Sequence, residues 1–401
     1  MTSEPFTLRW GILATGGIAK TFTKDLLVDP STRDANDIRH VIAAAASSSS
    51  TSRAADFLRE VGAPDSAKAY GSYRDLVNDA NVDIIYIATP HSHHYQHTRL
   101  ALEAAKHVLV EKPITVNAEQ ARILFALAEE KKLFLMEAVW TRFFPLTREI
   151  QGIISSGRLG EIKRVYADLS FWNDVEQEFG KEHRMVNLDL AGGALLDLGI
   201  YSLTWVFIVL YHLQATQKRK TPIVKSAMSL YRETGCDEMT SIILNFPDAR
   251  IGTTTEGDAG NGDAHAIALT GIRVGHNPNP SHPSPPPVRI QGTHADVEIA
   301  APSYRPLSYT LTPAQTATRG KLADFSYGCK TFEIPGQGHG MFWEADECAR
   351  CVRDGRLESE VLGWEESGAV MQVMDEVRRQ GGLRYPDVVE SVGYPLEGFG
   401  V

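Results

Sequence analysis

Cysteine is scarce. The four in 401 residues, Cys236, Cys329, Cys348 and Cys351, are too few and too scattered for a disulfide scaffold. No Asn-x-Ser/Thr acceptor with a permitted middle residue occurs, and the first residues lack a basic stretch followed by an apolar core, so the expected location is the cytoplasm. Blocks of lysine and arginine interleaved with aromatics are missing too, and the formal net charge is −10. That excludes a nucleic-acid surface and leaves a small molecule as the expected partner. No uninterrupted apolar run is long enough to span a bilayer; the most hydrophobic, LTWVFIVLYHL at 203–213, ends in Tyr211, His212 and one leucine, so no membrane partner is expected.

What is present is rhythm. Apolar runs at 8–13, 41–46, 84–88, 107–110 and 133–136 are separated by helical patterns such as TRLALEAAKH and NAEQARILFALAEEKK, whose apolar residues recur every three or four positions. Short strands joined by helices predict parallel pairing with right-handed crossovers, hence a Rossmann-type, doubly wound α/β domain over 1–139. From 140 the pattern changes. KRVYADLSF, KSAMSLYR, MTSIILNF, ARIGTTTE, HAIALTG, VRIQGTHADVEIA and LSYTLT follow one another with few helices, which predicts an α+β domain over 140–401 with a large, mostly antiparallel open sheet. GHNPNPSHPSPPP, 275–287, cannot hold a ladder and reads as a surface loop. FWEADECARCVRDG and WEESGAVMQVMDEVRRQGG read as helices closed by glycine, covering a sheet face or packed at the domain junction, and CARC as helix packing rather than half a zinc site.

The stretch WGILATGGIAK, 10–20, has the spacing A-x-G-x-x-A over Ala14, Gly16 and Ala19. A strand ending near Leu13 and a helix opening at Gly16 or Gly17 aim the backbone N–H groups of Ala14, Thr15, Gly16, Gly17 and Ile18 at a pyrophosphate. Alanine replaces the first glycine of the fingerprint, and its methyl is tolerated provided φ is negative. The second strand ends in serines 47 to 50, Thr51 and Arg53, with no acid to accept from a ribose 2′-hydroxyl. The hydroxyls of Ser47 and Ser48 with the Arg53 guanidinium suit a 2′-phosphate, so NADP is the expected cofactor.

IYIATPHSHHYQH places Thr89, Pro90, His91, His93, His94 and His97 just past a strand, on the edge where open sheets bind ligands. No acidic companion stands at ligand spacing, so metal is not expected; His91 packing over the nicotinamide or the substrate is, and His97 reads as a helix-surface residue. VLVEKPITV ends a buried strand in Glu111, Lys112 and Pro113, pointing a cation toward the cleft, with a cis bond at Pro113 as one means of fixing it. LAGGALLDLGIYSL carries Asp197 and Tyr201 four apart, on one helical face. An aspartate in that apolar run needs a hydrogen-bond partner or a polar cleft.

Together ATGGIA, TPHSHH, EKP, FLMEAVWTRFFPL at 134–146 and GGALLDLGIY resemble the Gfo/Idh/MocA oxidoreductase family, and within it the branch of dimeric dihydrodiol dehydrogenases and fungal NADP-dependent D-xylose 1-dehydrogenases. The likeness extends over nearly the whole chain. It implies that Lys112 is the family's EKP lysine and that Tyr201, standing where many members carry histidine, is the acid–base group, made a better base by the lysine ammonium. It implies that Asp197 contacts substrate or orients the catalytic group, and that Trp140, Arg142 and Arg184 line the substrate pocket. Thr89, Pro90, His91, His94, Glu111 and Lys112 are expected at the cofactor. The implied activity is NADP-dependent oxidation of an aldopyranose at C1, D-xylose first, by a homodimer formed through the C-terminal sheet. Oxidation of a trans-dihydrodiol, aldose or anhydro-sugar reduction in reverse, and a non-catalytic NADP-binding regulator are the alternatives.

Overall fold

The computed structural model describes residues 4–252, 262–279, 281–314 and 328–400. Contacts divide the chain into two units: Met1–Trp140 with Ile334–Gly368 and Pro386–Val401, and Thr141–Glu333 with Ala369–Tyr385. Beside the expected 1–139 and 140–401, Trp140 and two stretches of the tail group with the first unit.

In the first unit β1 (Phe6–Leu13), β2 (Ile38–Ala46), β3 (Lys68–Tyr70), β4 (Ile84–Ile87), β5 (His107–Glu111) and β6 (Leu135–Ala138) form one sheet in the order β3-β2-β1-β4-β5-β6. Every pairing is parallel. The strands read as continuous apolar runs because both faces are covered, and β4 is buried at all four positions. Helices α1 (Gly17–Leu26), α2 (Thr51–Val61), α3 (Tyr73–Val77), α4 (His94–Glu103) and α5 (Ala118–Lys131) make the connections. Chain growth reverses direction between β1 and β4, so the carboxyl ends of those two strands open the crevice typical of this topology.

The second unit holds α6 (Pro145–Ser155), a one-turn α7 (Val175–Glu178), α8 (Ile200–Leu210) and eight strands: β7 (Ile162–Ser170), β8 (Ile223–Leu230), β9 (Asp237–Phe246), β10 (Ala264–Gly271), β11 (Val288–Gly292), β12 (Ala295–Ile299), β13 (Ser308–Pro313) and β14 (Gly328–Thr331). Their order is β14-β13-β12-β11-β7-β10-β9-β8. Six of the seven pairings are antiparallel, as expected, but β7 and β10 run parallel. The run ARIG, 249–252, is a turn rather than a strand, and the rest of ARIGTTTE lies outside the described residues. The described part of 275–287 is loop.

All eleven residues of α8 are buried against β7 and β10. Each large apolar side chain so placed contributes about 1.5–3 kcal/mol. Ser202 stitches the parallel seam, accepting from Leu169 N at 2.9 Å and donating to Leu269 O at 2.8 Å. Counted from Leu188 to Leu210 this segment is long and apolar enough to cross a membrane by length and composition, longer than the 203–213 run suggests, and its 18-residue window is 100% buried inside the protein. It is the core helix of the second unit.

Past β14 come α9 (Phe342–Arg353), α10 (Trp364–Gly381) and α11 (Asp387–Glu390). Anchors from the first unit explain why α9 belongs to it. Asp25 of α1 accepts from His339 N, Gly340 N and Met341 N at 2.7–3.0 Å, neutralising donors at the mouth of α9. Asp346 takes a two-pronged bond from Arg33 and a bond from His40, whose other ring nitrogen accepts from Trp10 Nε1 at 3.1 Å. Cys348 and Cys351 are free, buried thiols on α9, as helix packing requires.

Candidate active site

The glycine turn leaves β1 as expected, except at its first residue. Ala14 has φ +85°, not a negative value, and its N–H bonds to Ala46 O at 3.1 Å. The turn must curl away from β1 while that bond to β2 is kept, so alanine is held in a conformation that glycine enters freely. Gly16 is the cap of α1, which no side chain caps, and a Cβ built on Gly16 or Gly17 meets nothing within 4 Å. Uncapped N–H groups facing open space on a ten-residue helix fit a pyrophosphate. Thr15 is half-buried and Ile18 is exposed at the same turn.

Next to it, Ser47 is buried and bonds to Ser49 Oγ at 2.9 Å, whereas Ser48 and Arg53 are exposed. Ser50 caps α2 by accepting from Arg53 N. Exposed hydroxyls, a helix start and a guanidinium thus share one end of β2, the donor set a 2′-phosphate needs.

The histidines divide. His91 is half-buried, at the head of the turn before α4, beside exposed Pro90 and half-buried Thr89. His94, expected at the cofactor, is fully buried instead: Nδ1 lies 2.7 Å from Pro113 O and Nε2 2.9 Å from Thr89 O. Both ring nitrogens are occupied by backbone, and burial pushes its pKa down to about 3. His97, expected on the helix surface, is also fully buried, reaching Thr89 Oγ1 at 3.1 Å and Phe399 O at 2.7 Å. Residues near the chain's end cover that face of α4, as Tyr95 and Gln96 bonding to Val392 O and Gly393 O also show. Among the described residues no group of three or more histidine, cysteine or acidic side chains could hold a metal.

Glu111 closes β5, buried, accepting from the Tyr86 hydroxyl and from Lys112 N at 3.3 Å. Lys112 follows, half-buried, with a cis bond to Pro113. Trp140, the last residue of this stretch of the first unit, is buried.

In the second unit the helix carrying Asp197 and Tyr201 does not begin as an α-helix. Leu195–Gly199 forms a π turn that continues into α8, a local widening often found at functional sites. Gly193 has φ +119°, and a Cβ there would lie 2.1 Å from Asp237 Oδ1, so only glycine admits that carboxylate. Asp237 in turn accepts from Leu195 N at 2.7 Å and Thr240 Oγ1 at 3.1 Å; burial pushes its pKa up to about 6.

Asp197 finds the partner its burial demands: Arg184 NH1 sits 3.1 Å from Oδ1, with the arginine side chain 58% exposed and the aspartate 9%. Tyr201 is buried, and its ring lies 5.8 Å from that of Tyr304, which is 6.5 Å from Phe171. Arg142 is buried at 2% exposure. The second unit therefore assembles a phenol, an ion pair and an aromatic wall, suited to holding a hydroxylated ring and moving a proton. Tyr304, Phe171 and Asp237 are not among the residues expected from sequence. Tyr304 and Phe171 lie outside the quoted motifs' chemistry, while the paired glycines at 192 and 193 were the available signal for a close neighbour such as Asp237.

Comparison with known proteins adds the following. Residues 8–139 match the family described as an oxidoreductase family with an NAD-binding Rossmann fold, and residues 147–271 the GFO/IDH/MocA C-terminal domain. The D-xylose 1-dehydrogenase (NADP(+)) of Hypocrea jecorina is 49% identical, over 98% of this chain and 97% of that one. The trans-1,2-dihydrobenzene-1,2-diol dehydrogenase of Bos taurus is 33% identical, over 94% and 98%. Among solved structures, the aldose-aldose oxidoreductase of Caulobacter crescentus shares the fold with a TM-score of 0.71 at 19% identity, covering 94% of this chain and 98% of that one.

Proposed function

We propose that this chain, which belongs to the GFO/IDH/MocA oxidoreductase family, oxidises an aldopyranose at C1 with NADP, converting D-xylose to D-xylono-1,5-lactone. The observation that carries the reading is the 49% identity to a D-xylose 1-dehydrogenase along 98% of this chain. NADP, when bound, supplies the hydride acceptor. The chain's own groups do the rest. Tyr201 takes the proton from the anomeric hydroxyl as C1 is oxidised. Lys112 supplies positive charge that makes a phenol more acidic and stabilises developing oxygen charge. Asp197, held by Arg184, orients a sugar hydroxyl, and Tyr304 and Phe171 offer faces to a pyranose.

The second reading is oxidation of a trans-dihydrodiol, favoured by the bovine relative and by those same aromatic faces, which accept a carbocycle equally well. A steady-state panel of D-xylose, D-glucose and a trans-dihydrodiol, with NADP and with NAD, separates them by kcat/KM. D-Xylose with NADP should lead, and Tyr201→Phe should lower kcat by about 10²–10⁴-fold. Turnover confined to the diol, or a Tyr201→Phe variant as active as its parent, overturns the assignment. The proposed location is the cytoplasm, and the proposed assembly is a homodimer through the outer face of β8 and β9, where Ile223, Met239 and Ile243 stand 55%, 43% and 57% exposed.

A further inference from the structure

Two buried polar side chains of the first unit have no part in that reading, and they meet at one peptide group. The carbonyl of Pro113 faces His94 Nδ1 at 2.7 Å. The N–H of the same peptide, Ile114 N, donates to Glu137 Oε1 at 2.9 Å, and Glu137 Oε2 accepts from Ser367 Oγ at 2.6 Å. His94 and Ile114 are fully buried and Glu137 is 3% exposed. A buried carboxylate is costly unless it is well bonded, so its place beneath a loop peptide calls for a reason.

The reason lies one residue back. We propose that His94 and Glu137 form a clamp on the Pro113–Ile114 peptide, and that they are positioning residues for the Lys112 side chain; the inference rests on the functional reading above. Proline's ring fixes its own φ, and the Lys112–Pro113 peptide is planar. Between the clamped peptide and the Lys112 α-carbon one soft torsion remains, ψ of Pro113. Holding both edges of the peptide plane therefore sets the direction in which the lysine leaves β5. His94 also faces Thr89 O at 2.9 Å, so the same ring ties the loop after β5 to the end of β4, one of the two strands whose ends open the crevice. A neutral imidazole carries one N–H and serves these two carbonyls in turn. The carboxylate side of the clamp has no such ambiguity, because its neighbours at Ile114 and Ser367 both donate.

The test compares the parent with Glu137→Ala, Glu137→Gln and His94→Ala. Three quantities are read: kcat on the best substrate of the panel, the NADP Kd by fluorescence titration, and the rate at which an amine-reactive reagent labels Lys112, with and without NADP, by peptide mass spectrometry. Misplacement of a reacting group by about 1 Å costs up to ~100-fold. Both alanine variants should lose ~10- to 100-fold in kcat while the NADP Kd stays within ~3-fold, and NADP should protect Lys112 from labelling less than in the parent. Glu137→Gln keeps an acceptor for Ile114 N and should recover most of the loss. The clamp is refuted if both alanine variants keep kcat within ~3-fold with parental labelling. It is equally refuted if kcat, NADP affinity and thermal stability fall together and glutamine restores none of them. A parent that turns over no sugar or diol refutes the functional reading instead, and the labelling comparison still decides the clamp.

Discussion

Ala14 is where the chain departs from the glycine fingerprint, and its backbone makes the departure measurable. At φ +85° an L-residue other than glycine pays about 1–2 kcal/mol. Ala14→Gly removes that strain. Against it stand the freedom glycine gives the unfolded chain, about 0.4–1 kcal/mol, and the loss of a half-buried methyl, about 0.4 kcal/mol. The bond from residue 14 N to Ala46 O is a backbone bond and survives. The balance is a stabilisation of about 0.5 kcal/mol, or about 1–2 °C in the melting temperature of a unit this size. Ala14→Val has the opposite sign, because a β-branched side chain at positive φ adds strain, and should lower the melting temperature by several degrees. Thermal unfolding of the three proteins without nucleotide at pH 8, followed by tryptophan fluorescence, reads both shifts. A glycine variant melting more than a degree below its parent, or a valine variant melting with it, would refute the reasoning. The NADP Kd of the glycine variant should stay within about threefold, since backbone N–H groups make the pyrophosphate contacts.

What the sequence conceals here is mostly what distant residues do. The parallel sheet was legible because both its faces are covered and its strands are unbroken apolar runs. β3 was not, since KAY is three residues long with only Tyr70 and Ala69 to bury. A negative φ is what the methyl of Ala14 alone favours, yet the chain holds it at +85° with its N–H bonded to Ala46 O on the neighbouring strand. His97 reads as surface because the first turn of α4, His94 to His97, offers only histidine, tyrosine and glutamine, residues that suit water. They are buried by Val392, Gly393 and Phe399, about 300 positions on, which no local period records. Tail segments joined the first unit for the same reason: Asp25, Arg33 and His40 are ordinary polar residues until α9 arrives. The parallel β7–β10 seam was hidden because alternation tells which face a side chain takes and not which way a neighbour runs. The motifs of the candidate site could be picked out without the fold around them, though His94 is buried away from the position expected of it. EKP, the serine cluster and GIY each sit at an element's end, where a short motif stands out from the apolar period of the strand or helix it adjoins.

Two further outcomes are expected. Arg53→Ala removes one charge-assisted donor from the exposed end of β2 and should weaken NADP, but not NAD, by about 10- to 100-fold in KM, as cofactor saturation curves would show; equal effects on both cofactors would remove Arg53 from the phosphate site. The second concerns acid. Burial lowers the pKa of His40 and pushes those of His94 and His97 down to about 3, against about 6.5 in an unfolded chain. Between those values the unfolded chain binds more protons, so the stability these rings contribute is complete above about pH 6.5 and drains away as pH falls toward 3. His94 and His97 each add a slope of about 1.4 kcal/mol per pH unit between those values and His40 acts in the same direction, while the raised carboxyl of Asp237 opposes one such slope below about pH 6. The lowered carboxylates, Asp37 and Asp346, act only below about pH 4 and cannot produce a loss that begins at 6.5. Melting temperature should thus be flat from pH 8 to 7 and fall steeply from 6.5 to 5. His97→Gln should start lower at pH 8, having lost its bond to Phe399 O, and yet decline with a shallower slope than the parent. A parent whose melting temperature is the same at pH 7 and pH 5, with His97→Gln following it in parallel, would refute the assignment of neutral buried rings, since an imidazole that binds its proton equally in both states contributes no slope.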